Sequence, residues 1–512
     1  MRAPSRHLFL PLALAAACAT APARPPESAA GQPAAGQPLG LSIAPPDRAA
    51  VPPKGPTPVL KVPPQQHFTL SNGLKVRLVE YHRLPIVSLD LALDAGAVHD
   101  PAGQPGLASF TASMLTEGTA TRSATQISDD LGFIGASVSA GAGFDQASVS
   151  GSALVRHLDK LLEIFSDVAL HPAFPQGDFA RVQDARLVSL LQQRDQPGVV
   201  AAKAFGRLFW NGHPYGHWIA GTEASTRAVT REALARFHAS HYVPNAAELV
   251  VVGDVTRAEL EPRLEKAFGA WKPGAAPPAP EVKVPQRPLR TLLVDKPDAP
   301  QTLVMFGTPG LDRKSDDYYA AEVAFQILGG GSASRLFREL REKQGYTYGI
   351  YAREEARKFG GTSYVAGNVK ADVTGAALKG LLEEIRRMRE TAVSEAELKD
   401  ARNALALSLP ADFATAGGIA GKLAEEVVYG LPDDYWDRYV ERVNQVSAAD
   451  VQAAMRRYLD PEQLTLVLVG TAAEVRPQLQ GLPLGPVTVE PMATAAQGGG
   501  SGPVVDDEDD DG

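Results

Sequence analysis

Apolar positions keep a helical spacing from Val229 to Phe237 and then run on as a strand from Leu249 to Val252, and the same pattern returns without a gap from Val446 to Gly470. Val229 matches Val446, Leu234 matches Val451, Pro244 matches Pro461, Leu249 matches Leu466 and Gly253 matches Gly470, a constant offset of 217 residues. A helix, a turn and a buried strand therefore occur twice. Earlier in each half, Leu78-Val79-Glu80 and Leu293-Val294-Asp295 hold similar places before an apolar, strand-like run. The stretch Phe68 to Val76, broken at Asn72-Gly73, predicts a hairpin, and Arg156 to Val168 reads as an amphipathic helix. Further on, Ser332 or Ser334 can cap a helix with Leu336 and Leu340 on one face, Gly345 ends it, and Tyr346 to Tyr351 alternate as a strand. The intervening turn brings Arg341, at the helix end, to Tyr348 on the strand.

Strands and helices do not alternate strictly, which favours an α+β class over a doubly wound parallel sheet. The expected body is two similar domains, 66–271 and 289–485, each a mostly antiparallel sheet backed by helices, joined by a proline-rich linker at 272–288. Residues 19–65, rich in Pro, Ala and Gly, read as a tether that would span on the order of 40 Å as a flexible coil. Residues 486–512 are expected to be a disordered acidic tail.

Charge and cysteine usage narrow the partners. A net charge of −9 argues against nucleic acid, part of it coming from the run Asp506 to Asp511. Arg2, Arg6 and His7 precede an apolar run, Leu8 to Ala17, too short to span a bilayer, so residues 1–18 read as an export signal. The single cysteine, Cys18, follows directly, where bacterial lipoprotein precursors carry the thiol that becomes lipidated. Ala19 resembles the pattern that sends such proteins to the outer membrane. The expected location is periplasmic with a lipid anchor in that membrane; the other reading is a plain signal peptide with an incidental cysteine.

These features together resemble the M16 (pitrilysin-like) zinc metallopeptidases. The resemblance covers most of residues 66–485 and rests on Leu70 to Val76, Gly106-Leu107-Ala108, Gly212 to Gly216 with Gly221, the two repeat ends, and Gly329 to Tyr348. Active members carry H-x-x-E-H on a helix, two histidines binding zinc and the glutamate activating water, with a downstream glutamate as third ligand. Aligned through Gly106-Leu107-Ala108 and Met114, this chain has Ser109, Ala112 and Ser113 at the three motif positions, and the downstream place falls near Ser189. The resemblance therefore implies no zinc in this chain. The close histidine pairs His213/His217 and His238/His241 read as structural.

What the resemblance leaves is a grip on peptide. In the family an arginine and a tyrosine seven residues later reach the substrate backbone, and here they are Arg341 and Tyr348. Gly329, Gly330 and Gly331 are read either as a substrate-facing loop or as a helix entrance. The favoured function is a non-catalytic, substrate-binding subunit of a heteromeric zinc endopeptidase, whose partner chain carries the intact H-x-x-E-H and the zinc, acting on peptide or unfolded protein. The alternatives are a peptide-binding or structural scaffold without a protease partner, and a self-sufficient metallopeptidase with a relocated metal site.

Overall fold

The computed structural model describes residues 60–275, 282 and 289–496. Two six-stranded sheets form the body. The first contains β1 (Gln66–Thr69), β2 (Lys75–Glu80), β3 (Ile86–Leu93), β4 (Ser137–Ala142), β5 (Ala147–Leu154) and β6 (Ala247–Gly253), in the order β1-β2-β6-β3-β5-β4. The second contains β7 (Arg290–Asp295), β8 (Gln301–Pro309), β9 (Thr347–Glu355), β10 (Thr362–Lys370), β11 (Thr465–Gly470) and β12 (Val487–Pro491), in the order β12-β7-β11-β8-β10-β9. Pairing is antiparallel except where β2 meets β6 and where β7 meets β11 and β12. Both sheets are backed by helices, as the α+β reading expects.

The repeat is structural. The helices Arg231–His241 and Ala448–Tyr458 stand at the offset of 217, each opened by a hydroxyl cap: Thr230 accepts from the Ala233 N–H and Ser447 from the Asp450 N–H. The Asn72-Gly73 turn joins β1 to β2, with the Asn72 amide donating to the Phe268 and Trp271 carbonyls. The amphipathic stretch forms the helix Leu158–Leu170, burying Leu158, Leu161, Leu162, Phe165 and Val168.

The strands β6, β8 and β11 are apolar on both faces because each sheet is covered twice. One face of β6 sends Leu249 and Val251 into the core of the first half, while Val250 and Val252 face a core built mainly by the second. That second cover is the helix Ala416–Tyr429, which packs on β3 and β6. The helix Pro197–Phe209 does the reciprocal job on β8 and β11, placing Phe205 and Phe209 among Leu292, Met305 and Val467. Each half thus completes its sheet with the other half's helix. Each fully buried Leu, Ile, Val or Phe in these layers contributes about 1.5–3 kcal/mol.

Three boundaries differ from the sequence reading. The tail does not begin at 486: Val487–Pro491 adds β12 alongside β7, and the helix Met492–Ala496 buries Ala495 against the Pro197–Phe209 helix. Backbone pairing at a free sheet edge outweighs the polarity of that segment. The end of the 19–65 stretch is docked, since Leu60 and Val62 pack on the core, the Val62 N–H donates to Asp437 at 3.1 Å, and Gln65 donates to Glu426 at 3.3 Å. At the start of the 272–288 stretch, Gly274 exchanges two hydrogen bonds with Asn245. The export signal, Cys18, residues 19–59 and the run Asp506 to Asp511 lie outside the described residues.

Candidate functional site

The helix Leu107–Met114 carries the three motif positions. Its first turn is fixed by Asp100, whose carboxylate accepts from the Gly106 and Ala108 N–H groups at 2.7 Å each and meets His217 at 3.0 Å. Gly106, at φ +92°, lies so close to Gly221 that a Cβ would stand 2.8 Å from its backbone. The helix entrance is thereby pinned to the 218–222 loop. Leu107, Phe110, Ala112 and Met114 are buried, and Ser109 and Ser113 sit at the margin. Ser109 donates to the Ile219 carbonyl at 2.6 Å and Ser113 to the Phe110 carbonyl at 2.9 Å.

Between those two serines lies a cation that the sequence reading missed. Arg186, from the helix Gln176–Gln192, donates through Nη1 to Ser109 at 2.9 Å and to the Ala220 carbonyl at 3.1 Å, and through Nη2 to Ser113 at 3.4 Å. Its guanidinium stacks 4.7 Å from the Phe110 ring centroid. Among the described residues no carboxylate lies in hydrogen-bonding reach, and burial pulls its pKa down to about 10, with Asp100 opposing. Ser189, the expected third-ligand place, is exposed. The available signal was a basic residue three positions before Ser189, on the same helical face; a search for glutamate passes over it.

These residues do not fit a zinc ion. Two hydroxyls already committed to carbonyls, a buried methyl and a guanidinium offer no anionic or imidazole donor. A divalent ion about 4 Å from Arg186 would meet on the order of 8 kcal/mol of repulsion. Among the described residues, no cluster of His, Cys, Asp and Glu elsewhere is arranged to hold a metal ion. The histidines are engaged internally: His213 accepts from the Tyr215 N–H at 2.9 Å, and His238 meets the Ala169 carbonyl at 2.9 Å. Burial pulls both down to about 4, so both are neutral at pH 7.

The second half brings Arg341 and Tyr348 together. The helix Phe337–Lys343 takes a π form, with Leu340 buried beneath it, and the Tyr346 N–H closes back on the Leu340 carbonyl at 2.9 Å before β9 begins. The Arg341 guanidinium lies 4.0 Å from the centroid of Tyr348 and 4.6 Å from that of Phe337, with no carboxylate partner among the described residues. Tyr348 is 51% exposed. No hydrogen bond, ion pair or ring contact among the described residues joins this pair to Ser109, Ser113 or Arg186. The glycine run is a helix exit: Gly329 ends the helix Tyr318–Gly329 and Gly330 caps it. A Cβ on Gly329 would meet the Ala352 backbone nitrogen at 2.3 Å, so this residue serves the packing of that helix on β9.

Two further features border the site. β4 is one edge of the first sheet, paired among the described residues only with β5, and it packs beside the Leu107–Met114 helix. A cavity of about 950 Å³ opens between the halves, with Ile219 and Ala220 on one wall and Arg313, Glu354 and Glu425 on the other. It is closed at one end by facing hairpin turns: the Lys358 N–H donates to Asp145 at 3.3 Å, the Phe359 N–H to the Tyr215 hydroxyl at 3.2 Å, and Arg357 stacks 4.4 Å over Phe144. Burial pushes Asp90 up to about 6 and Glu354 up to about 8.

Residues 75–223 match the family described as insulinase (peptidase family M16), and residues 228–405 match the peptidase M16 inactive domain. Among curated relatives, the chain is 20% identical over 410 residues to an uncharacterized zinc protease, YmxG, of Bacillus subtilis, covering 80% of this chain and 99% of that one. It is 28% identical over 290 residues to the uncharacterized zinc protease ML0855 of Mycobacterium leprae, covering 56% and 64%. Among solved structures, it is similar to a peptidase M16 inactive domain from Pseudomonas fluorescens, with TM-score 0.75 and 29% identity over 79% of this chain and 98% of that one. A protease from Helicobacter pylori shares the fold at TM-score 0.74 and 20% identity, covering 80% and 99%.

Proposed function

Because the chain belongs to the M16 peptidase family, we propose that it works as the non-catalytic, peptide-binding subunit of a heteromeric zinc endopeptidase in the bacterial cell envelope. The observation that carries this reading is Arg186 bridging Ser109 and Ser113 beside Ala112, a built-in cation where catalytic members hold their metal. Zinc and the water-activating glutamate then belong to a partner chain with intact H-x-x-E-H. An extended peptide can add to the outer edge of β4 by main-chain hydrogen bonds. Arg341 and Tyr348 supply donors on an exposed surface, suited to an oxygen on which negative charge develops. The pattern before Cys18 supports export and a lipid anchor, which fractionation of Cys18→Ser against the parent tests.

The deciding experiment mixes this chain with its H-x-x-E-H companion. Peptidase activity should appear that neither chain shows alone, and Arg341→Ala or Tyr348→Phe should lower kcat by about 10²–10³. Full activity with both residues replaced would make the pair structural, and no activity from the mixture would favour the second reading, a peptide-binding scaffold without a protease partner. That reading draws on Arg341 resting on its own two aromatic rings rather than reaching the first half.

A further inference from the structure

Lys203 stands alone in a buried place. It lies on the helix Pro197–Phe209, is 4% exposed, and makes no hydrogen bond or ion pair among the described residues; its Nζ rests 5.2 Å from the Trp218 ring centroid. It lines a cavity of about 290 Å³ with Leu190, Arg194, Thr222, Glu223 and Ala496. Arg194 and Glu223 are paired with each other, so the lining carries two cations against one carboxylate. Burial pulls the Lys203 pKa down to about 8, with Glu223 raising it and Arg194 lowering it further. An ammonium desolvated without a partner is expensive to maintain.

The internal repeat shows what is missing. The helix Ala416–Tyr429 also has a lysine as its seventh residue, Lys422, whose Nζ lies 4.6 Å from the Trp436 centroid. Lys422 is satisfied by Asp412 at 3.3 Å and Glu425 at 3.5 Å. At the same offset of 219 residues that relates Lys203 to Lys422, the first half has Gln193 and Gly206 in place of those two acids. The lysine and the tryptophan are kept and the carboxylates are gone.

We propose that the cavity at Lys203 binds a small carboxylate, its charge on the ammonium and its apolar body against Leu190 and Ala496. The volume lies at the lower end of ligand pockets, which run from about 300 Å³. The carboxylate has two possible sources, a free short-chain acid or the acidic run Asp506 to Asp511, which follows Ala496 in the sequence. The site is separate from the peptide grip proposed above and does not depend on it.

Propionate is the probe, propionamide its neutral control, and saturation-transfer NMR on the full mature chain the readout. Propionate should bind at least about tenfold more tightly than to Lys203→Met, a difference of about 1.4 kcal/mol. Binding should fade as pH rises through about 8, where this ammonium discharges, rather than near the ordinary lysine value. The parent binding propionate points to a free acid. Binding only after residues 506–511 are replaced by their amides points to the chain's own tail. Propionate binding to neither protein, equal binding by Lys203→Met, or equal binding of propionamide would overturn the proposal. Lys203→Arg, which keeps the charge, serves as a second variant should Lys203→Met fail to fold.

Discussion

The two halves of this chain share the order of five strands, helix caps and an exchanged covering helix, yet they treat buried charge in opposite ways. In the second half, Leu405 stands where the first has Arg186, counting from the equivalent helix starts Gln176 and Glu395, and Lys422 has two carboxylates where Lys203 has none. Leu405 is simply packed against the core. A repeat supplies its own control: what both copies keep serves the fold, and what one copy alone carries at a cost in desolvation calls for another explanation. By that standard, Arg186 and the loss of the carboxylates around Lys203 mark the first half, and the π-helical Arg341–Tyr348 element marks the second.

The comparison is most exposed at Arg186. Arg186→Ala leaves the Ala220 carbonyl, Ser109 and Ser113 without their shared donor, so unfolding by urea should show a loss of about 2–3 kcal/mol. Leu405→Ala, which removes only a partly buried apolar side chain, should cost less. Equal costs would make the guanidinium ordinary packing.

A second contrast is in pH. All ten histidines lie before residue 242, and burial holds His213 and His238 near 4 instead of the usual 6.5. Their neutral-state stability is complete above about pH 6.5 and is lost as pH falls through 4, because the unfolded chain takes up protons the folded one refuses. In the second half, burial raises Glu322 to about 7 and Glu354 to about 8 from 4.5. Here the folded state keeps protons the unfolded chain releases, so stability is lost as pH rises from about 4.5 to 8. Asp90 adds a smaller loss of this second kind to the first half. Amide exchange should therefore open the first half preferentially at pH 5 and the second at pH 9. The reverse order, or uniform opening, would contradict it.

The smallest effect separates the paired lysines. Lys203→Met should raise stability by about 1 kcal/mol in carboxylate-free buffer, because it removes an unpaired buried cation. Lys422→Met breaks partly exposed ion pairs and should lower stability by about 0–1 kcal/mol. Thermal melts of the two variants suffice. A common sign would remove the distinction.

Much of this was legible in the sequence because it is local or repeated. The Asn72-Gly73 turn, the caps Thr230 and Ser447, and the joining of Arg341 to Tyr348 across Gly345 all follow from spacing of a few residues. The continuous apolar run of β6 told that both faces are covered, but not that the cover comes from residues 416–429, since hydrophobicity carries no address. Arg186 was illegible for another reason. The family pattern specifies which ligand to seek and says nothing of what replaces it, and a guanidinium takes its place through four neighbours spread from Gly106 to Ala220. The strand β12 was masked by the acidic run downstream, which set a compositional boundary too early.

The exchange of covering helices also governs when the protein can fold. Until residues 416–429 have been made, one face of β3 and β6, including Val250 and Val252, lacks its cover, although both strands belong to the first half of the chain. Contacts separated by roughly 160 to 340 residues close slowly, because loop entropy is spent before they form. A chain whose covering helix comes this late in the sequence reaches its stable state only near the completion of synthesis.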